Sequence, residues 1–247
     1  MEIFNEWGEP NGGLYMLSKY GHVLFGITWI GLLYFFNVVQ VPAFAEMSAE
    51  ARSEALRKVT WRALWWFRWA ALATFVTGVI MIGLLGEDFK PSTSGGLGLY
   101  WGVILATTMF LNVWGVIWRN QKINIGSANT VAAGGQADPR AADAAKKAAR
   151  ASRANTLFSI PMLWFMLWNS HWSFNYDDPS GGKAAFAWII FLVIFAFVEA
   201  NALGLIGGID SPFNKTVFDT HRNTIIAGVV FWLVLLIICW ELIIGGA

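Results

Sequence analysis

Residues 19–41, KYGHVLFGITWIGLLYFFNVVQV, make one apolar run long enough to cross a bilayer, and comparable runs recur along the chain. Six stretches reach the roughly 20 residues a spanning helix needs, at about 17–41, 61–85, 99–118, 155–173, 184–206 and 220–244. Inside hydrocarbon a backbone must satisfy its own N–H and C=O groups, so runs of this length fold as helices. The expected fold class is therefore an all-α integral membrane protein, a six-helix transmembrane bundle in one domain over residues 1–247. A multi-pass membrane protein is expected, with the lipid bilayer as its main partner.

Composition agrees. Hydrophobic residues make up 56% of the chain and charged residues 13%, about half the charged share of a water-soluble domain. Fifteen tryptophans suit a membrane–water interface. A net charge of +1, with no basic cluster interleaved with aromatics, argues against a nucleic-acid partner. The single cysteine, Cys239, excludes a disulfide framework and, with no CxxCH, a covalent haem. Glu2, Glu6 and Glu9 make the start acidic, so no cleaved signal peptide is expected.

Lys and Arg set the orientation. Thirteen fall on the side of the odd-numbered connections: Arg52, Arg57, Lys58 and Arg62 after the first run, seven between Arg119 and Arg153, and Lys215 and Arg222. Lys19, Lys90 and Lys183 fall opposite, which places both termini outside and residues 119–154 in the cytoplasm. Within that connection, INIGSANTVAAGGQ reads by composition as a flexible linker. Asp138 and Pro139 read as a cap and a first helical residue. The Ala-rich run after them, with Asp143 and Lys147 spaced i,i+4, predicts a helical arm entering the fourth span, about 35 residues in all.

Topology turns positions into depths. His22 lies in the outer leaflet, roughly 8 Å from its edge at 1.5 Å per residue. His171 closes the fourth span at similar depth, although the two are far apart in sequence. Two imidazoles from facing helices are a usual axial pair for a non-covalent b-type haem, with the iron between them. Gly26 and Trp29 share the helical face of His22, and Trp164 and Leu167 that of His171, so both faces suit a flat macrocycle. The alternative is two interfacial histidines, His171 sitting in an aromatic belt beside Trp168 and Trp172. His221 opens the last span on the cytoplasmic side, behind Asp219 and Thr220 as caps, too far from the other two to join them.

Arg68 and Glu199 each lie about 10 Å inside the cytoplasmic side. An unpaired charge there is expensive, so a buried ion pair is expected, or a polar ligand such as a quinone or a haem propionate for each. Trp61, Trp65 and Trp69 form a stripe that reads as packing or a belt. No HExxH, CxxC, Walker loop or dinucleotide glycine pattern occurs, which leaves the catalytic residues unassigned.

His22-x6-Trp29-Ile30-Gly31 resembles the opening helix of the membrane domain of bacterial membrane-bound urate hydroxylases of the PuuD type. Arg68-Trp69-Ala70, Ala73-Thr74 and Gly78 are similar to that family's second helix. Arg153, Asn155, Pro161, Met166 and Asn169-Ser170-His171 resemble its later segment, with Asn and Ser in the opposite order. The first helix also looks like that of copper-resistance D proteins and of membrane protoporphyrinogen oxidases. The resemblance implies a membrane oxidoreductase subunit delivering electrons to a c-type cytochrome, which without a CxxCH here is expected as a separate periplasmic subunit. The competing expectation is a non-catalytic accessory subunit of a larger respiratory or photosynthetic complex, and a homo-oligomer stays open. The ion pair has its own signature. Replacing Arg68 or Glu199 singly is expected to destabilise the protein more than replacing both, measured by thermal unfolding of the three variants, and additive losses would show that the two do not touch.

Overall fold

The computed structural model describes residues 4, 6–10, 12–85 and 89–245. Glu2 lies outside these, as do the side chains of Asn169 and Ser170. Among the described residues every regular element is helical. Five helices are long and apolar enough to cross a membrane: α1 (Gly13–Glu46), α2 (Ala49–Gly83), α3 (Ser94–Ala132), α5 (Gly181–Ala202) and α7 (His221–Ile244). Between them come α4 (Ala141–His171) and a short α6 (Pro212–Phe218).

The fourth expected span, 155–173, falls on α4, which has the length of a span but not the apolarity of the five. Asn155, Thr156 and Ser159 are fully buried on it, so its middle is covered by protein and does not need a lipid-compatible surface. A correction concerns 123–136, read from composition as a flexible linker. The helix α3 runs on to Ala132, with Ile125 and Ser127 buried against its neighbours, and stops only where Gly134 turns at φ +85. Tertiary burial overrides the weak propensities of Gly, Asn and Thr in that stretch. The helix of the arm begins at Ala141, two residues past the expected Pro139. Asp138 accepts the Arg140 backbone N–H at 2.9 Å ahead of α4, and Lys147 pairs with Asp143 at 2.8 Å.

Helix starts follow the capping rule. Ser48 accepts from Ala51 N–H, Thr93 from Gly96, Ser180 from Lys183, Ser211 from Asn214 and Thr220 from Asn223. The basic cluster Arg52–Arg62 therefore lies on the first turns of α2, not in a loop, and only Met47 and Ser48 separate α1 from α2. Wide π-helical turns interrupt α1 at Phe35–Gln40, α2 at Leu56–Thr60 and α3 at Asn112–Ile117, and close α7 over Leu235–Ile244.

The chain forms two compact units, each with its own core. The first comprises Met1–Ile82 and Phe110–Asn155, the second Gly83–Met109 and Thr156–Ala247. In the first, buried amides tie the helices together. The Asn37 amide donates to Ser152 Oγ at 2.8 Å, Asn112 donates to Asn155 Oδ1 at 3.0 Å, and Thr60 donates to Gln40 Oε1 at 3.0 Å. Stacked Phe75 and Phe110, with ring centroids 4.4 Å apart, fill the apolar space between them.

In the second unit α4 meets α7 at backbone distance. Pro161 has no N–H to give the Leu157 carbonyl four residues back. Gly228 of α7 fits against that carbonyl, and a Cβ there would stand 2.8 Å from Leu157 O and 3.3 Å from Leu157 Cα. Backbone cannot move aside as a side chain can. Gly228→Ala is therefore expected to destabilise the protein by about 1–3 kcal/mol. Gly31→Ala, where a Cβ meets nothing within 4 Å, should be neutral or stabilising. Thermal unfolding of both variants in detergent checks this, and equal effects would remove the close-approach account.

Candidate functional site

The strongest candidate lies in the first unit, where α1 runs against α2. The facing side of α2 carries Ala70, Ala71, Thr74 and Gly78, with the first three buried, and such small residues let two helices come close. Into that contact α1 places Gly21, His22, Gly26 and Trp29. Thr77 Cγ2 lies 3.5 Å from the Cβ position of Gly21, and Thr74 Cγ2 lies 4.0 Å from that of Gly26.

His22 is held by its Nδ1, 2.9 Å from the Thr74 carbonyl and 3.3 Å from Thr77 Oγ1. A carbonyl only accepts, so Nδ1 carries the proton and donates it to Thr74 O. The Thr77 hydroxyl already donates to Ala73 O at 2.7 Å and takes the second share of that N–H. Nε2 of the neutral ring is then the lone-pair nitrogen. This is how ligating histidines are usually prepared: one nitrogen fixed on a backbone carbonyl, the other free to bind. Gly78 makes the ring's seat, since a Cβ there would lie 3.1 Å from His22 Cε1 and 3.4 Å from Nδ1. Gly26, expected to leave room for a flat group, faces α2, where its Cβ position lies 4.0 Å from Thr74 Cγ2. Trp29 faces inward instead and is 2% exposed.

The second unit holds His171 at the exposed end of α4, with Leu167 exposed on the same face. Trp164 is packed within that unit, its ring 5.2 Å from Trp232 and 6.2 Å from Trp168. Below lies a dense aromatic cluster: Trp168 and Trp240 at 4.3 Å, Trp168 and Tyr176 at 5.3 Å, and Trp101 stacked on Phe191 at 4.8 Å. Gly98 lets Trp168 settle, because a Cβ there would stand 2.5 Å from its Cδ1. The Tyr176 hydroxyl donates to the Glu241 carboxylate, a partner the sequence did not suggest. Burial first, and then that carboxylate, push the Tyr176 phenol up.

Arg68, expected beside a carboxylate, has an aromatic partner. Its guanidinium lies 3.8 Å over the Trp118 ring, a cation–π contact within the first unit. Glu199 belongs to the second unit, on α5. Trp61, Trp65 and Trp69 are exposed, with Trp61 on Trp118 and Trp69 edge-on to Trp114. His221 is the first residue of α7, capped by Thr220. Among the described residues no group of three or more His, Cys, Asp and Glu could hold a metal ion. A haem needs at most two protein ligands, and the prepared nitrogen of His22 fits that demand.

The seat of His22 makes an energetic prediction. Gly78→Leu should destabilise the protein by about 1–3 kcal/mol by driving a side chain into the imidazole. In the His22→Ala background the same change should do less harm, so the pair is non-additive in a thermal double-mutant cycle. Additive effects would show that the two do not share a seat.

A family model described as "Urate oxidase N-terminal" matches residues 93–240, more than half of the chain. The matched stretch runs from the start of α3 into α7, so it contains His171 and His221 but not His22. No curated protein and no solved structure matches the chain.

Proposed function

This chain belongs to the urate oxidase N-terminal family, and from that premise we propose that it is a membrane redox subunit with a b-type haem. It would be urate-hydroxylase-like and pass electrons toward a periplasmic c-type cytochrome. The observation that carries the reading is the fixed tautomer of His22, with Nδ1 on the Thr74 carbonyl and Nε2 left to bind. His22 is one axial ligand in this reading. His171 is the other, and this rests on α4 crossing the membrane beside the five apolar helices: chain direction and the distribution of Lys and Arg would then set both histidines in the outer leaflet.

Held in this way, a b-type haem supplies one-electron transfer. The protein's own part is to orient the imidazole through Thr74 and Thr77, to seat it at Gly78, and to keep water from the buried face with Trp29. A quinol, oxidised to the quinone, is a suitable electron donor in this setting, and Arg68 and Glu199 are the intramembrane charges that would meet its polar head or each other. The second reading, a non-catalytic accessory subunit of a larger respiratory or photosynthetic complex, is favoured by one observation. Trp61, Trp65, Trp66 and Trp69 present an exposed aromatic face on α2.

Absorption spectra of the purified protein, oxidised and dithionite-reduced, separate the two. The haem reading expects a Soret band that shifts on reduction and is lost or strongly altered in His22→Ala and in His171→Ala. No Soret band, or one unchanged in both variants, overturns it and leaves the accessory reading. Anaerobic addition of urate to the haem-loaded protein then tests the substrate: reduction supports a urate-hydroxylase-like enzyme, and its absence removes that activity from the isolated subunit.

A further inference from the structure

The far half of α3 carries a feature the redox reading does not use. Leu111, Gly115, Trp118, Lys122 and Gly126 recur along one face of the helix, at i, i+4, i+7, i+11 and i+15. The face changes character along its length. Leu111, Trp114, Gly115 and Trp118 line an apolar groove of about 410 Å³. A cup of about 670 Å³ follows, lined by Arg119, Lys122, Ser127, Thr130, Asp138 and Arg140 among others. Arg119 and Lys122 line both, so groove and cup are one continuous depression, all of it within the first unit.

Its charges are unequal. Arg140 is engaged by Asp138, with Nε 3.1 Å from Oδ1 and Nη2 2.8 Å from Oδ2. The Arg140 guanidinium and backbone N–H hold the Asp138 carboxyl down to about 2, so it stays ionised and offsets Arg140. Arg119 and Lys122 are exposed, and Lys122 stands 5.6 Å over the Trp118 ring. The cup is left with two uncompensated positive charges at the mouth of an apolar groove. From Leu111 to Lys122 the helix rises about 16 Å, most of the length of an acyl chain.

We propose that this depression binds an anionic phospholipid, with the phosphate headgroup at Arg119 and Lys122 and one acyl chain along Leu111, Trp114, Gly115 and Trp118. A zwitterionic lipid fills the groove equally well but brings its own cation to the two bases. A soluble phosphate compound satisfies the cup and leaves the groove unused. The match of an apolar channel to a cationic cup selects an anionic lipid. Its position, where the helix leaves the membrane on the side rich in Lys and Arg, is where such lipids meet basic residues.

Native mass spectrometry of the full chain in detergent, titrated with phosphatidylglycerol, phosphatidylcholine or inorganic phosphate, tests this. Phosphatidylglycerol is expected to be retained more tightly than phosphatidylcholine. Arg119→Gln with Lys122→Gln should reduce that preference about thirtyfold, at about fivefold per basic residue. Gly115→Trp, which fills the groove and leaves both charges, should lower retention of either lipid. Equal retention of the two lipids, or a preference unchanged in the double variant, overturns the proposal. It is also overturned if inorganic phosphate displaces phosphatidylglycerol and Gly115→Trp has no effect, which assigns the cup to a soluble phosphate.

Discussion

Hydrocarbon offers a polar group no water to fall back on, and the structure depends on how each buried polar group is answered. Helices answer for the backbone. Side chains need partners, and the first unit supplies them in pairs: Asn37 with Ser152, Asn112 with Asn155, Thr60 with Gln40. The same constraint explains α4. Asn155, Thr156 and Ser159 could not face lipid, and they are fully buried. A helix with such a middle belongs inside a protein, even though its length alone is enough to cross a membrane.

Close approach is the second theme. Apolar helices in lipid gain little from the hydrophobic effect when they meet, so contact quality decides which faces pair. Gly228 lets α7 reach the carbonyl that Pro161 leaves without a donor, and Gly98 lets Trp168 sink into its cluster. Gly78 does the same for His22, with a difference. There the space admits a side chain that makes a directed bond, and the Thr74 carbonyl it meets chooses the imidazole tautomer. A packing device becomes a chemical one because the guest has two nitrogens and only one is occupied.

The basic side of the protein has its own organisation, centred on Trp118. Arg68 lies on its ring at 3.8 Å, Lys122 at 5.6 Å, and Trp61 packs against it at 5.3 Å. An indole gives a cation a partner without a counter-charge, so part of the Arg68 charge is answered by a ring face. The same ring borders the apolar groove that leads to Arg119 and Lys122.

Much of this was legible in the residues alone. Long apolar runs imposed helices, and the Ser and Thr caps marked where several begin. His22, a titratable group inside an apolar run, was conspicuous because such groups are costly there. These are local properties, and local physics suffices to read them. What faced what was not legible. The stretch 123–136 looked like a linker because its propensities are weak, and it is helical to Ala132 because burial of Ile125 and Ser127 outweighs them. Arg68 invited a carboxylate, yet its neighbour is a tryptophan 50 residues away. Thr74 and Gly78 were unremarkable letters until α2 lay against α1 and turned one into an acceptor and the other into a seat. The sequence by itself determined the solvent each segment can tolerate and the places where a helix starts. Only the tertiary structure decided which nitrogen of His22 is free, because a tautomer is set by a neighbour's carbonyl, and neighbours are what folding chooses.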